Sequence, residues 1–293
     1  MEIEQALGKF LIQLRADGRS GHTVKQYERH VRLFAHWARQ DAHCGAEIER
    51  LGHEHVAAFL ASAVANISAT GGQKLATSQN CLRSSLKGFF AYLHKAGYIA
   101  SDPGRMIRRA RCSPPPPKGL SSEEERRLLA ALRTASSPDE KRDATLFMLM
   151  LRTGIRIGSA LALRAEDVDL EREELRLRTT KGDRRDVVIL SREVVKLLGE
   201  YLKGHTSGPL FTGRDGEAIT GRHAQRRFAG WLQRAGINRI GVSPHSLRHT
   251  RAMAIYQKTG DIGVVQAALG HKSIASTLVY ARCDAARLRK ALA

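Results

Sequence analysis

Acidic side chains are scarce in this chain. Twenty-nine Asp and Glu stand against 48 Lys and Arg, leaving a formal net charge of +19 over 293 residues. The surplus is spread along the sequence rather than gathered in a tail, which favours a broad basic surface and a polyanionic partner, nucleic acid above all. Cysteine is sparse too. Cys44, Cys81, Cys112 and Cys283 lie far apart and form no CxxC pair, which excludes a zinc ribbon or a small disulfide framework. Reduced thiols in a cytoplasmic protein are the simplest expectation. Long apolar runs are missing. The longest, near Leu146 to Leu151, is far too short to cross a bilayer, and Met1-Glu2-Ile3-Glu4 lacks the basic-then-apolar pattern of a leader. No strongly apolar amphipathic segment supports a membrane partner. Aromatic residues make up 5% of the chain against 42% hydrophobic residues overall, so aliphatic packing is expected to dominate its cores.

Proline is concentrated rather than abundant: four of the eight stand together at Pro114-Pro115-Pro116-Pro117. Consecutive prolines cannot continue a helix and favour a stiff extended segment. Residues 112–119 therefore read as a linker between a domain at 1–111 and a domain at 120–293. The first domain reads as all-helical. Apolar residues fall at helical spacing from Ile3 to Leu14, Thr23 is placed to cap a second helix carrying Tyr27, Val31, Phe34 and Trp37, and further helices are expected over 54–65 and 75–95. Lys25, Arg29, Arg32, Arg83 and Lys87 lie on the remaining faces, suited to phosphate contacts. The second domain opens with helices at 122–134 and 138–152, the first capped by Ser121 or Ser122. Alternating runs at 174–178 and 187–190 flank a Gly-containing turn, which predicts a hairpin. Helices return at 191–203, 219–235, 245–258, 261–269 and 273–281. The expected fold class is mainly α with a small antiparallel β-sheet.

Chemistry concentrates in this second half. His245-Ser246-Leu247-Arg248-His249-Thr250, Leu269-Gly270-His271 and Tyr280 follow Thr153-Gly154-Ile155-Arg156 and Thr180-Lys181-Gly182. Breaking a phosphodiester needs its anion held, a nucleophile aligned and a proton delivered to the leaving alkoxide. Arg156 and Arg248 suit the first task, since a guanidinium stays charged and pairs with two oxygens. His245 and Arg248 are three apart and share a helix face. Tyr280 is the candidate nucleophile; neighbouring arginines favour its phenolate, and His245 or His271 could accept its proton. Tyr256 competes, but lies two helical turns beyond Arg248, roughly 12 Å along the axis. His245, His249 and His271 as zinc ligands form a weaker reading, because the Glu of an HExxH site is missing. His249 is otherwise a brace of the fold.

Arg156, Lys181, His245, Arg248, His271 and Tyr280, in that order, resemble the catalytic set of the tyrosine recombinases, the phage integrase family. Residues 153–164, 179–182 and 245–250, and the nine-residue step from His271 to Tyr280, carry the resemblance. Residues 20–38 add a likeness to the family's helical core-binding region. The resemblance implies a short, Xer-like two-domain form, with an N-terminal helical, SAM-like core-binding domain and a mixed α/β catalytic domain. Arg156 and Arg248 would clamp the scissile phosphate, Lys181 would be the general acid, and His245 and His271 would assist. Tyr280 would form a 3′-phosphotyrosine, with neither metal nor cofactor. Double-stranded DNA, a homotetramer on two sites, a possible accessory or directionality factor and a tail at 283–293 docking on a neighbouring protomer are further implications. One departure stands out: the family usually has an acid three positions after the first arginine, where this chain has Ser159. A non-catalytic DNA-binding regulator on the same scaffold and a topoisomerase-like relaxing enzyme remain the alternatives.

Overall fold

The computed structural model describes residues 1–41, 47–112, 118–178, 186–203, 205–270, 277, 278 and 280. The chain divides into two compact units, Met1–Ser113 and Pro114–Ala293. The polyproline run, the turn around Lys181, His271, Cys44 and the tail beyond Tyr280 lie outside the described residues.

In the first unit, α1 (Ile3–Ala16) buries Ile3, Ala6, Leu7, Phe10, Leu11 and Leu14, a stripe of 3.6-residue period. Helix α2 (Gly21–Asp41) begins two residues before the expected cap. Ser20, not Thr23, does the capping: its Oγ accepts the Thr23 backbone N–H at 3.2 Å. The single helix expected over 54–65 is two, α3 (His53–Ala61) and α4 (Ala63–Asn66). Ser62 breaks it in an extended conformation, donating to Phe59 O at 2.7 Å and capping the restart at Ala65. A serine hydroxyl that bonds the local backbone competes with helix propagation. Helix α5 (Ala76–Lys95) closes the unit against α1 and α2.

The core of this unit is mainly aliphatic, as expected, with Phe10, Phe34, Trp37, Phe59, Phe89 and Phe90 set among the aliphatic side chains. Phe34 meets Phe59 edge-on at 5.2 Å, and Phe10 meets Phe89 at 5.6 Å. Edge-to-face geometry suits the ring quadrupoles and adds about 1 kcal/mol per pair beyond burial. Of the basic residues assigned to outer faces, Lys25, Arg29, Arg32 and Lys87 are exposed. Arg32 is partly neutralised by Glu28 at 3.0 Å. Arg83 is half-buried, reaching Gln79 at 3.4 Å.

The second unit is aliphatic as expected. Helix α6 (Ser122–Arg133) starts with a capping box between Ser121 and Glu124. Helix α7 (Pro138–Thr153) starts with another, Ser137 with Glu140, and Pro138 in its first turn. From Arg142 to Leu151 every α7 residue is buried, so this helix is the axis of the core. Gly154 ends it at φ 73°, a left-handed conformation that a side chain resists. Helix α8 (Ile157–Leu161) follows. Strands β1 (Val168–Asp169), β2 (Glu174–Leu177) and β3 (Asp186–Ile189) form an antiparallel sheet in chain order, with Leu175 opposite Val188. Two residues are too few to show alternation, which is why β1 escaped the sequence reading. Helices α9 (Arg192–Tyr201), α10 (Gly221–Arg234), α11 (Pro244–Thr259) and α12 (Ile262–Leu269) complete the unit. Residues 277, 278 and 280 are helical.

One charged cluster sits inside this core. Asp143, fully buried, accepts from Arg142 Nη2 at 2.7 Å, from Arg227 Nε and from the Trp231 indole at 3.4 Å. Among the described residues, no helix is long and apolar enough to cross a membrane.

Candidate active site

The site grows from the first turns of α11. Pro244 sets the backbone at its start, and Ser243 caps it with Ser246. Helical spacing then places His245, Arg248 and His249 on one side. The His245 and His249 rings meet edge-on, centroids 4.7 Å apart. Thr250, on the opposite side, holds the chain after the linker: its hydroxyl accepts from Leu120 N at 2.8 Å and donates to Ser246 O at 2.9 Å.

Arg248 is 3% exposed. A buried cation is costly unless its donors are met. Nη1 donates to Gly154 O at 2.7 Å and Nη2 to Leu269 O at 2.8 Å. Both carbonyls sit at helix C-termini, one just past α7 and one at the last residue of α12, where the helix dipole is negative. The guanidinium thus fastens three elements together. Gly154 is what permits it: a Cβ there would collide with the Leu269 side chain.

Arg156 caps α8 in an extended conformation and is exposed. Its charge reaches both Arg248 and His245. Burial first, then Arg156, lowers Arg248 to about 10 against an opposing influence of Tyr280, so the guanidinium is still charged at neutral pH. Burial, then Arg248 and Arg156, lowers His245. Burial, then His245 and Arg248, lowers His249 to about 4. Among the described residues, no carboxylate enters any of these three balances. Ser159, half-buried on α8, stands where an acid was expected and supplies no such charge. Two guanidiniums and two neutral imidazoles, with no carboxylate among the described residues offsetting them, have the electrostatics of an anion site.

Tyr280 is 3% exposed and packs with Ala252, Val265 and Leu269. Its hydroxyl lies 2.8 Å from His249 Nδ1, the rings tilted with centroids 5.7 Å apart. Arg248 pulls its pKa down as expected, but burial outweighs that pull and the net shift is upward. Phenolate is therefore not favoured in this state. Tyr256 flanks the same apolar cluster.

Of the six residues singled out from the sequence, Arg156, His245 and Tyr280 are brought within electrostatic reach of a fourth, Arg248. Lys181 and His271 lie outside the described residues. The contact that sequence reasoning missed is His249 with Tyr280. The i, i+4 relation of His249 to His245 was the available signal, since it puts both rings on one face.

Two family models match the chain. The phage integrase family matches residues 118–287, and the phage integrase N-terminal SAM-like domain matches residues 7–97. The tyrosine recombinase XerC of Chromobacterium violaceum is 29% identical over 291 residues, covering 98% of this chain and 93% of its own. The XerC of Neisseria gonorrhoeae is 31% identical over 285 residues, covering 94% and 90%. Among solved structures, the XerH site-specific recombinase bound to palindromic difH substrate in a post-cleavage complex aligns with a TM-score of 0.77. It shares 25% identity, over 98% of this chain and 83% of that one. A lambda integrase dimer (residues 75–356) bound to a COC′ core site shares the fold, with a TM-score of 0.71 at 19% identity over 94% and 96% of the two chains.

Proposed function

Because the chain belongs to the phage integrase family of tyrosine recombinases, we propose that it is a site-specific recombinase that cleaves and rejoins DNA strands through a 3′-phosphotyrosine on Tyr280. The observation that carries this is the buried Arg248 guanidinium. It shares an electrostatic neighbourhood with Arg156, His245 and Tyr280, and no carboxylate among the described residues enters its balance. Arginine carries five N–H donors. Two of them bind carbonyls, and the others are left for phosphate oxygens. Arg156, exposed at the start of α8, supplies the second half of the clamp, and the charge developing on the phosphoryl oxygens is met by two cations. Tyr280 attacks phosphorus, Lys181 protonates the leaving 5′-oxygen, and His245 and His271 bind the phosphate. The bond energy is kept in the phosphotyrosine, so a 5′-hydroxyl from a partner strand reverses the step.

The substrate is double-stranded DNA, supported by the net charge of +19 and by relatives whose structures hold DNA. The first unit, matching the SAM-like domain, grips the duplex through exposed cations such as Lys25, Arg29 and Lys87. Four copies act on two sites, as in the lambda integrase tetramer bound to a Holliday junction. The protein works in the cytoplasm.

A duplex nicked just beyond the scissile bond tests the reading, because the short fragment bearing the new 5′-hydroxyl diffuses away and its loss traps the covalent complex. The expected result is a protein–DNA adduct that survives denaturation and is lost in Tyr280→Phe. Tight, specific binding with no adduct from the wild-type chain would overturn the enzymatic reading and leave a DNA-binding regulator.

A further inference from the structure

The Tyr280 hydroxyl is withdrawn into an apolar cluster, and its oxygen is 2.8 Å from His249 Nδ1. A phenol removed from bulk water cannot pass its proton to solvent readily, so the group bonded to it decides where the proton goes. His245 is exposed, one turn earlier on α11, its ring edge-on to His249. We infer that His249 is a catalytic residue: it accepts the Tyr280 proton during strand cleavage and returns it during rejoining. This rests on the reading above, in which Tyr280 is the nucleophile.

As the Tyr280 oxygen bonds to phosphorus, its O–H bond breaks and the proton moves to Nδ1. The bond from phosphorus to the 5′-oxygen breaks, and that oxygen takes a proton from the separate acid, Lys181. Rejoining runs backward. The incoming 5′-hydroxyl gives its proton to Lys181, and the released phenolate recovers its own from the His249 imidazolium. Each cycle leaves both groups as they began.

Charge explains why a weak base suffices. In the empty site, burial, His245 and Arg248 hold His249 down to about 4, while Arg156 acts in turn on His245 and Arg248. Tyr280 faces it from the C-terminal helical turn. The segment packed on this end of α11 includes Lys118, whose ammonium lies against Gly241 instead. A phosphodiester would bring a negative charge that grows in the transition state and offsets both guanidiniums. The proton affinity of His249 then rises as the nucleophile needs it, whereas without DNA the transfer is uphill and Tyr280 stays protonated.

Single-turnover adduct formation on the nicked duplex, followed over a wide pH range, tests the inference. His249→Gln keeps an acceptor near the hydroxyl but cannot take up a proton. Its rate should fall by about 10²-fold or more at neutral pH, with DNA affinity and unfolding midpoint unchanged, and recover toward alkaline pH. His249→Ala should be rescued by added imidazole in proportion to its concentration. A Gln variant that cleaves as fast as wild type, or faster, would overturn the inference; the faster result would make the contact a restraint on Tyr280. A deficit in Gln that is flat with pH, with no imidazole rescue of Ala, would also overturn it, leaving His249 to orient the ring. An adduct that persists in Tyr280→Phe would instead sink the underlying nucleophile assignment.

Discussion

Replacing Arg248 with lysine should damage stability and chemistry by separate, measurable amounts. The charge is kept, but an ammonium cannot span the Gly154 and Leu269 carbonyls, each 2.7 to 2.8 Å from a different guanidinium nitrogen. One charge-assisted hydrogen bond is lost, worth about 1.5–3 kcal/mol. The stranded carbonyl sits in a buried recess beside a residue 3% exposed, which puts the cost at the upper end, near 3 kcal/mol. Chemical denaturation of the full chain reads this term. The second effect is on cleavage. Lysine meets the phosphate as a point charge rather than through a planar fork. Losing one preorganised donor to a developing oxyanion costs about 3–4 kcal/mol, or on the order of 10²–10³ in rate. Adduct formation on the nicked duplex, at saturating protein and at a temperature where the variant is folded, reads that term alone. Cleavage within threefold of wild type would refute the role given to the fork. Unchanged stability would refute the claim that Arg248 fastens the ends of α7 and α12.

Three further outcomes follow from the same geometry. Asp143→Asn places an amide against Arg142 and the Arg227 Nε donor, and should cost about 3 kcal/mol; because Arg142 also holds Asp139 at 2.8 Å and Thr212 O at 3.0 Å, a loss much beyond about 5 kcal/mol would mean that those contacts carry nothing. Gly154→Ala must hold a side chain at φ 73° and push Leu269 away from Arg248, so it should lose at least about 1–2 kcal/mol and slow adduct formation with it. His30, buried and 2.8 Å from Ser85, is lowered to about 4 from 6.5, chiefly by burial. The unfolded chain therefore takes up its proton first: this stability is complete above pH 6.5 and drains away as pH falls toward 4, by about 3 kcal/mol in all. His30→Gln should flatten that slope, and an unchanged slope would clear His30 of the effect.

Much of the fold was legible because its determinants are local. A serine at 121 or 122 before an acidic first turn and the apolar stripe of α1 are patterns within a few residues of each other, and helix limits followed from them. The errors share a cause as well. Ser62 breaks a helix by bonding Phe59 O, a choice between two local options that apolar spacing cannot see. Strand β1 is defined by its partner, β2, and not by its own two residues. Which rings meet, as Phe34 does Phe59, depends on which helices pack together.

For the site, the order of Arg156, Lys181, His245, Arg248, His271 and Tyr280 was enough to suggest a phosphoryl-transfer chemistry and a family. That order said nothing of protonation. Adding arginines near Tyr280 suggested a lowered pKa; enclosure by Ala252, Val265 and Leu269 raises it instead. Motif spacing placed His249 as a brace, yet its ring meets the Tyr280 hydroxyl.

The chain by itself determined helical periodicity, caps, charge surplus and the succession of reactive residues, since each is written in neighbours or in totals. Tertiary structure alone decided that Arg248 would bond a carbonyl 94 positions away and that His249 would meet a hydroxyl 31 positions away. Burial and Coulomb forces act through space, so which group is neutral, which is charged and which can trade a proton is settled only once distant segments are brought together.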